Sequence, residues 1–256
     1  MTSSRDEFFQ NIRRALGRES GTPNVVPDES TYLSDDASTV EARAQSVRQF
    51  IEQNADDLMA QLEKTALEAG WKLKRVTSAQ EAASYVRALA QGIEARSILR
   101  SAHAVLEKLA LEEILSGTGI DLGIMAVTSD AERESQRQAL REAATRADIG
   151  ITGVDYAIAE TGTAVLLPRK GVSRVVSLLP PVHVAIVERG QVLPSLDELF
   201  TLRRADFLHS KTLDSSEGGF GSYISLITGP SRSADIEYTL VTGVHGPREV
   251  HMILIG

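Results

Sequence analysis

A glycine flanked by two threonines and preceded by a glutamate is the first segment whose side chains could do chemistry. It comprises Glu160, Thr161, Gly162 and Thr163, and it lies between two short apolar runs. One interpretation is a tight hairpin turn in which Gly162 supplies a positive φ. In the other, the glycine lets a ligand approach the backbone, the threonine hydroxyls form hydrogen bonds to it, and Glu160 acts as a base. The residues alone leave both interpretations open.

A second candidate, residues 229–235, places glycine, small hydroxyls and a cation directly after an apolar strand. Gly229 and Ser231 predict a helical turn whose N–H groups cradle an anion. Arg232 adds a guanidinium fork suited to a carboxylate or phosphate, and Asp235 lies in the same segment. The alternative is an exposed arginine in a capped loop. We favour the binding site, because the position and the residue types agree.

Three further positions are candidates by their place in the chain. His183 follows two consecutive prolines at the start of an apolar strand; it is a candidate catalytic residue, although the local pattern by itself favours a core histidine. His245 lies in a Gly/Pro turn before the last strand, where it is either a solvated side chain or a neighbour of Arg232. Ser101, with His103 beside it, follows a strand whose carboxyl end is where open α/β sheets bind ligands. A helix cap is the alternative for Ser101.

Alternating elements must position these residues. Strand–helix alternation with short connections over residues 38–147 predicts an α/β fold with an open, mostly parallel sheet flanked by helices. Residues 150–190 carry short apolar runs without helices between them, which predicts a mixed or antiparallel β insertion. We expect helices at 38–69, from 78, at 104–115, at 129–147 and at 195–209, and strands at 71–76, 97–99, 122–127, 156–159, 163–167, 175–179, 182–187, 222–228 and 250–255.

The sequence also predicts how the chain divides into an N-terminal arm and a main domain. Residues 1–37 are expected to form an N-terminal helical arm and a linker, and residues 38–256 the main α/β domain. The arm packs on that domain or docks another subunit. A glycine-rich stretch at 216–221 is either a lid or a disordered connection.

Composition limits the function classes. The 256 residues carry a net charge of −8, which disfavours nucleic acid as a partner, and no apolar run is long enough to span a membrane. Cysteine is absent, so iron–sulfur clusters and zinc ions held by cysteine thiolates are excluded. The histidines are far apart and no dinucleotide fingerprint is present, so we predict neither a metal nor a cofactor in this chain. A cytoplasmic location fits this composition.

Six motifs in order resemble the lactate-utilisation domain (LUD) family. They are EFFQNIRRALGR at 7–18, AETGT at 159–163, SLLPPVHVAIV at 177–187, PSLDE at 194–198, ITGPSRSADIE at 227–237 and GVHGPREVHMILI at 243–255. The resemblance implies a fold like that of the NagB sugar isomerases, the RpiA ribose-phosphate isomerases and the CoA transferases. It also implies a role in bacterial oxidation of L-lactate to pyruvate beside two partner proteins. Those partners are the ones that hold iron–sulfur clusters.

Three functions remain open on these grounds. The leading one is an accessory subunit of an L-lactate-oxidising complex, which binds a small anion such as lactate or pyruvate or organises the iron–sulfur subunits. The second is a stand-alone enzyme of isomerase or acyl-transfer type on a sugar phosphate or CoA thioester, with Glu160 as base or nucleophile and Arg232 holding the anion. The third is a ligand-free scaffold.

Overall fold

The computed structural model describes residues 36–126, 133–167, 169, 172–210, 223–234 and 240–256. The chain divides into two compact units, residues 1–40 and residues 41–256. The predicted arm and linker, apart from its last two residues, the predicted lid at 216–221 and Asp235 lie outside the described residues, so these predictions stay as they are. In the described part of the chain, no helix is long and apolar enough to cross a membrane.

Eight α-helices are present among the described residues. They are α1 (Ala37–Gln53), α2 (Ala55–Ala69), α3 (Ala79–Gly92), α4 (Ala104–Lys108), α5 (Leu111–Ile114), α6 (Arg133–Arg146), α7 (Val175–Leu178) and α8 (Leu196–Ser210). A 3-10 turn spans Arg189–Gln191.

Twelve strands accompany these helices over the same described ranges. They are β1 (Lys72–Val76), β2 (Ser97–Ser101), β3 (Asp121–Met125), β4 (Ile149–Gly153), β5 (Tyr156–Ile158), β6 (Thr163–Leu166), β7 (Val182–Glu188), β8 (Val192–Leu193), β9 (Ser225–Ile227), β10 (Arg232–Ala234), β11 (Leu240–Thr242) and β12 (Glu249–Ile255).

A six-stranded parallel sheet is the centre of the fold. Its strand order is β1-β12-β7-β4-β2-β3, and every neighbouring pair is parallel. β4 is buried along its whole length, and β7 along all but its last residue, as strands covered on both faces must be. The predicted open parallel sheet with flanking helices is therefore confirmed.

The two faces of this sheet are covered by different helices. On one face, alternate residues such as Ile98, Ile151 and Val184 pack against Ala82 and Val86 of α3. On the other, which we call the α6 face, Leu99 and Met125 pack against helices α6 and α7. Because side chains alternate along a strand, each strand contributes to both cores.

The predicted mixed insertion is also present. A four-stranded sheet of order β8-β5-β6-β9 is antiparallel between β5 and β6 and between β6 and β9, and parallel between β5 and β8. A separate antiparallel pair joins β10 to β11. The run 182–187, which we assigned to the insertion, forms β7 instead, and β7 joins the parallel sheet between β12 and β4.

Several predicted boundaries are wrong for identifiable reasons. The helix expected at 38–69 is two helices that break at Asn54, whose side-chain amide bonds to the Phe50 carbonyl and competes with the helix ladder. The helix expected at 104–115 is also two, α4 and α5, separated by Ala110 at a φ of 46°. Strand β4 was not predicted, because its glycines and threonine interrupt the apolar run.

The run 175–179 is the helix α7 and not the predicted strand. Its two valines favour a strand locally, but so short an apolar run has no periodicity that distinguishes the two states. The packing decides, because α7 lies against the sheet at Gly150: a Cβ at this position would come within 1.8 Å of the Val176 carbonyl oxygen.

We expect Gly150→Ala to lower the free energy of unfolding by about 1–3 kcal/mol or more, because the added methyl forces α7 away from the sheet. Urea unfolding followed by circular dichroism measures this change. The matched control is Gly190→Ala, where an added Cβ meets nothing within 4 Å. Equal unfolding midpoints for the two variants would contradict the packing described here.

Candidate functional site

The carboxyl-terminal turn of α2 brings two of the predicted loops together. A Cβ on Gly162 would lie 2.6 Å from the backbone of Ala66, and one on Gly229 would lie 2.1 Å from the Ala69 carbonyl oxygen. Both glycines have a positive φ, of 65° and 79°. Arg232 reaches the same Ala69 oxygen with Nη2, at 3.4 Å. The 160–163 loop and the Arg232 loop therefore lie next to each other on one helix end.

Three threonine hydroxyls connect these loops in a row that we call the threonine ladder. Oγ1 of Thr161 lies 2.7 Å from Oγ1 of Thr163, which lies 2.7 Å from Oγ1 of Thr228. The central hydroxyl is buried, whereas the two outer residues are exposed. Thr228 is not among the predicted site residues, although it lies inside the motif at 227–237 and directly precedes Gly229.

Trp71 links this cluster to His183. The indole Nε1–H donates to the Gly162 carbonyl at 2.9 Å, and the indole and imidazole ring centroids are 6.1 Å apart. His183 Nε2 lies 2.8 Å from Oγ1 of Thr152 on the neighbouring strand β4. His183 Nδ1 has no hydrogen-bond partner in the described part of the chain. Thr152 is a second residue that sequence analysis missed, because β4 itself was missed.

His183 is a neutral interior residue. Its side chain is fully buried on the α6 face, and this burial lowers its pKa to about 3, with a smaller contribution from His251. The imidazole is therefore uncharged at neutral pH. This placement is the one that the core-histidine interpretation describes, and a catalytic role for His183 stays a prediction.

The segment after Gly229 does not open a helical turn, which corrects the expected cradle. Arg232 begins strand β10, and Ser231 is held in the extended backbone by two bonds: its N–H donates to Pro247 O at 3.0 Å, and its carbonyl accepts from Gly243 N–H at 2.9 Å. The Ser231 amide is thus already used. An anion here depends on side chains and not on helical N–H groups.

Three residues with basic side chains lie in the segments next to Ser231, and we call Arg232, His245 and Arg248 the basic patch. All three are exposed. The loop of His245 lies close to Ser231, since a Cβ on Gly246 would be 3.2 Å from the Ser231 Cβ. Arg232 also faces the carbonyl end of α2, where partial negative charge favours a cation.

Glu249, an acidic residue next to Arg248 of the patch, has its charge balanced by Lys72. Glu249 Oε1 lies 2.5 Å from Lys72 Nζ and 2.7 Å from His251 Nε2, and Tyr85 OH lies 2.8 Å from His251 Nδ1. The hydrogen bond from Lys72, followed by the one from His251, lowers the pKa of Glu249 despite its partial burial. Glu249 therefore stays ionised, but its charge is balanced by Lys72.

Ser101 is not part of this cluster. It ends β2 at the carboxyl edge of the parallel sheet, whereas Trp71 and the basic patch lie beside the amino ends of β1 and β12. Its hydroxyl is buried and has no partner in the described ranges. Glu160 does lie in the clustered loop, but its side chain is exposed, and its N–H donates to Pro194 O at 3.0 Å.

Ser101, His103 and Asp155 do not form a proton relay, although their residue types suggest one. His103 Nδ1 accepts from the Val105 N–H at 3.3 Å, so the proton is on Nε2, which lies 3.8 Å from Asp155 Oδ1. Burial by itself raises the pKa of Asp155, but the nearby His103 side chain, the hydrogen bond from Leu167 N–H and the Arg169 cation outweigh it and lower the pKa. His103 has no lone pair left for a serine. In the described residues, no group of three His, Cys, Asp or Glu side chains could hold a metal ion.

The sequence of this chain matches a known protein family. The model of the LUD domain matches residues 59–255, which include every clustered residue named above. This chain belongs to the LUD domain family. The family resemblance of the five motifs between residues 159 and 255 is thereby confirmed.

Curated LUD relatives extend over the whole chain. Lactate utilization protein C of Halalkalibacterium halodurans is 30% identical and aligns with 100% of this chain and 99% of its own length. Lactate utilization protein C of Bacillus subtilis is 28% identical, over 98% of this chain and 96% of its own length. Lactate utilization protein B of B. subtilis is 26% identical over 83% of this chain, which corresponds to 50% of that protein.

One solved structure is similar to this LUD domain. A DUF162 family protein from Deinococcus radiodurans superimposes with a TM-score of 0.49 at 20% identity, covering 79% of this chain and 98% of that chain.

His183 makes the stability of this LUD domain depend on pH in one direction. Because its pKa falls from 6.5 to about 3 on folding, the unfolded chain binds more protons between these values. The contribution of neutral His183 to the free energy of unfolding is complete above pH 6.5 and decreases as the pH is lowered. When the pH is lowered from 7.5 to 5, we expect His183 alone to decrease the free energy of unfolding by about 2 kcal/mol.

Urea unfolding of the wild type and of His183→Gln at both pH values measures this contribution. The loss of stability on acidification should be smaller by about 2 kcal/mol in the variant, since other titrating groups are common to both proteins. A variant that loses as much stability as the wild type would show that His183 is protonated in the folded protein.

Proposed function

We propose that this chain acts in bacterial lactate utilisation as an accessory subunit that works beside iron–sulfur proteins. The observation that carries this proposal is the end-to-end match to lactate utilization protein C, at 30% identity over 100% of this chain and 99% of the relative. The absence of cysteine supports an accessory role, because this chain offers no thiolates to hold a cluster. Electron transfer through clusters is then the task of its partners.

We further propose that the basic patch holds a small carboxylate such as lactate or pyruvate. The chain carries a net charge of −8, so an anion needs a local positive field to bind. Arg232 and Arg248 supply two permanent charges, both on exposed side chains. Glu249, an acidic residue next to Arg248, is balanced by Lys72. A guanidinium can hold a carboxylate through two parallel hydrogen bonds.

Complementation tests the accessory-subunit proposal. This chain is expected to restore growth on L-lactate to a bacterial strain that lost it through deletion of its own lactate utilization protein C. Affinity purification from those cells should recover iron–sulfur partner proteins. Normal expression with neither growth nor partners would refute the proposal and favour the stand-alone enzyme or the ligand-free scaffold.

Removal of the patch charges tests the binding proposal. We expect the double variant Arg232→Ala/Arg248→Ala to weaken binding of L-lactate and of pyruvate at least tenfold, since each charge-assisted hydrogen bond contributes about 1.5–3 kcal/mol. Isothermal titration calorimetry measures this change. The control Arg75→Ala/Arg87→Ala removes two exposed arginines from β1 and α3 and should leave binding unchanged. Equal losses in both double variants would mean that only net charge matters.

A further inference from the structure

The threonine ladder has one spare proton, and its position depends on the direction of the two hydrogen bonds. Each hydroxyl has a single proton, and two of the three protons are used in the bonds between Thr161, Thr163 and Thr228. The row therefore ends in a donor at one side and in an acceptor at the other. Since either atom of each pair can donate, all bonds can reverse together without breaking the row.

The Thr228 end of the ladder lies near Arg232 of the basic patch. Thr228 directly precedes Gly229, whose backbone packs on the Ala69 carbonyl oxygen, and Arg232 Nη2 approaches that same oxygen. Thr228 and Arg232 are both exposed there. A ligand whose carboxylate pairs with Arg232 thus has the Thr228 hydroxyl on the same side of α2.

We propose that Thr228, oriented by the buried Thr163, recognises the oxygen on carbon 2 of a carboxylate bound at the basic patch. This proposal rests on the carboxylate site proposed above and assigns the residues that recognise the oxygen on carbon 2 of its ligand. A keto oxygen can only accept a hydrogen bond. With a keto acid, Thr163 therefore donates to Thr228, and Thr228 donates to the ligand. A hydroxyl on carbon 2 can donate, so the reversed ladder accepts from it through Thr228.

The reversible row accounts for acceptance of both members of a hydroxy-acid/keto-acid pair by one residue. A fixed donor such as a backbone N–H fits the keto oxygen and offers no acceptor to the hydroxyl. In the ladder, Thr163 is the hydroxyl that sets the direction, because it is 4% exposed and bonds to both neighbours. Thr163 acts as a positioning residue, and Thr228 as the group that contacts the ligand.

Calorimetric titration of the full chain with three acids of three carbons tests this inference. L-lactate and pyruvate have an oxygen on carbon 2, and propionate does not. We expect lactate and pyruvate to bind with similar affinity and roughly three- to tenfold more tightly than propionate, the range of one neutral hydrogen bond. Thr228→Val should remove this advantage for both acids and leave propionate binding unchanged.

Variants of the central threonine separate recognition from folding. Thr163→Val keeps the shape but breaks the row, and it should reduce the advantage of lactate and pyruvate over propionate. Thr163→Ser retains the hydroxyl and should restore that advantage. Thr145→Val on α6, whose hydroxyl donates to the Arg141 carbonyl, is the matched control and should have no effect.

The outcomes distinguish the two proposals. If none of the three acids binds, the carboxylate site itself is wrong. If all three bind equally, or if Thr228→Val leaves the preference for lactate and pyruvate intact, the ladder inference is overturned while the carboxylate site stands. An unchanged preference in Thr163→Val would show that Thr228 acts without the ladder. If Thr163→Val does not fold, the Thr163→Ser and Thr228→Val titrations decide.

Discussion

The contact between the last turn of α2 and the loops of the β insertion determines where every clustered residue lies. Gly162 and Gly229 place bare backbone against Ala66 and Ala69, at distances that no Cβ could occupy. Trp71, just after the helix, then ties the Gly162 carbonyl to the interior by a hydrogen bond. The insertion sheet and the parallel sheet therefore share one helix end as their common support.

The helix end also determines the electrostatics of the cluster. The carbonyls of a final helical turn carry partial negative charge, which by itself repels an anion. Arg232 offsets this charge by approaching the Ala69 oxygen, and its other N–H groups remain on an exposed side chain. The local potential thus depends on the arginines of the patch more than on the backbone. This differs from an anion site at a helix start, where the backbone itself attracts the ligand.

Sequence patterns predicted the parallel sheet, the mixed insertion and the capped start of α3, where Ser78 Oγ accepts from the Glu81 N–H. These features depend on local periodicity and on caps, which a single sequence displays directly. The errors concern elements that tertiary packing decides. The run 175–179 is a helix because it lies on Gly150, and residues 232–234 are a strand because they pair with β11.

The candidate site was predictable by segment but not by geometry. The motifs identified the loops of Thr161 and Arg232, and both loops meet on α2. Ser101 was selected by the rule that ligands bind at carboxyl strand ends, whereas the cluster lies at the amino edge of the sheet. Thr152 and Thr228 acquire their roles only from neighbours distant in the chain, 31 and 65 residues away. No local pattern shows such contacts.

The pairing of β1 with β12 has a consequence for how the chain is synthesised. Lys72 pairs with His251, 179 positions later, and among the described strands β12 is the only partner of β1. A growing polypeptide must therefore carry β1 as a bare edge until the segment around residue 250 has left the ribosome. Its Lys72, Lys74 and Arg75 suit that interval, because charged side chains on an unpaired strand discourage association with other nascent chains.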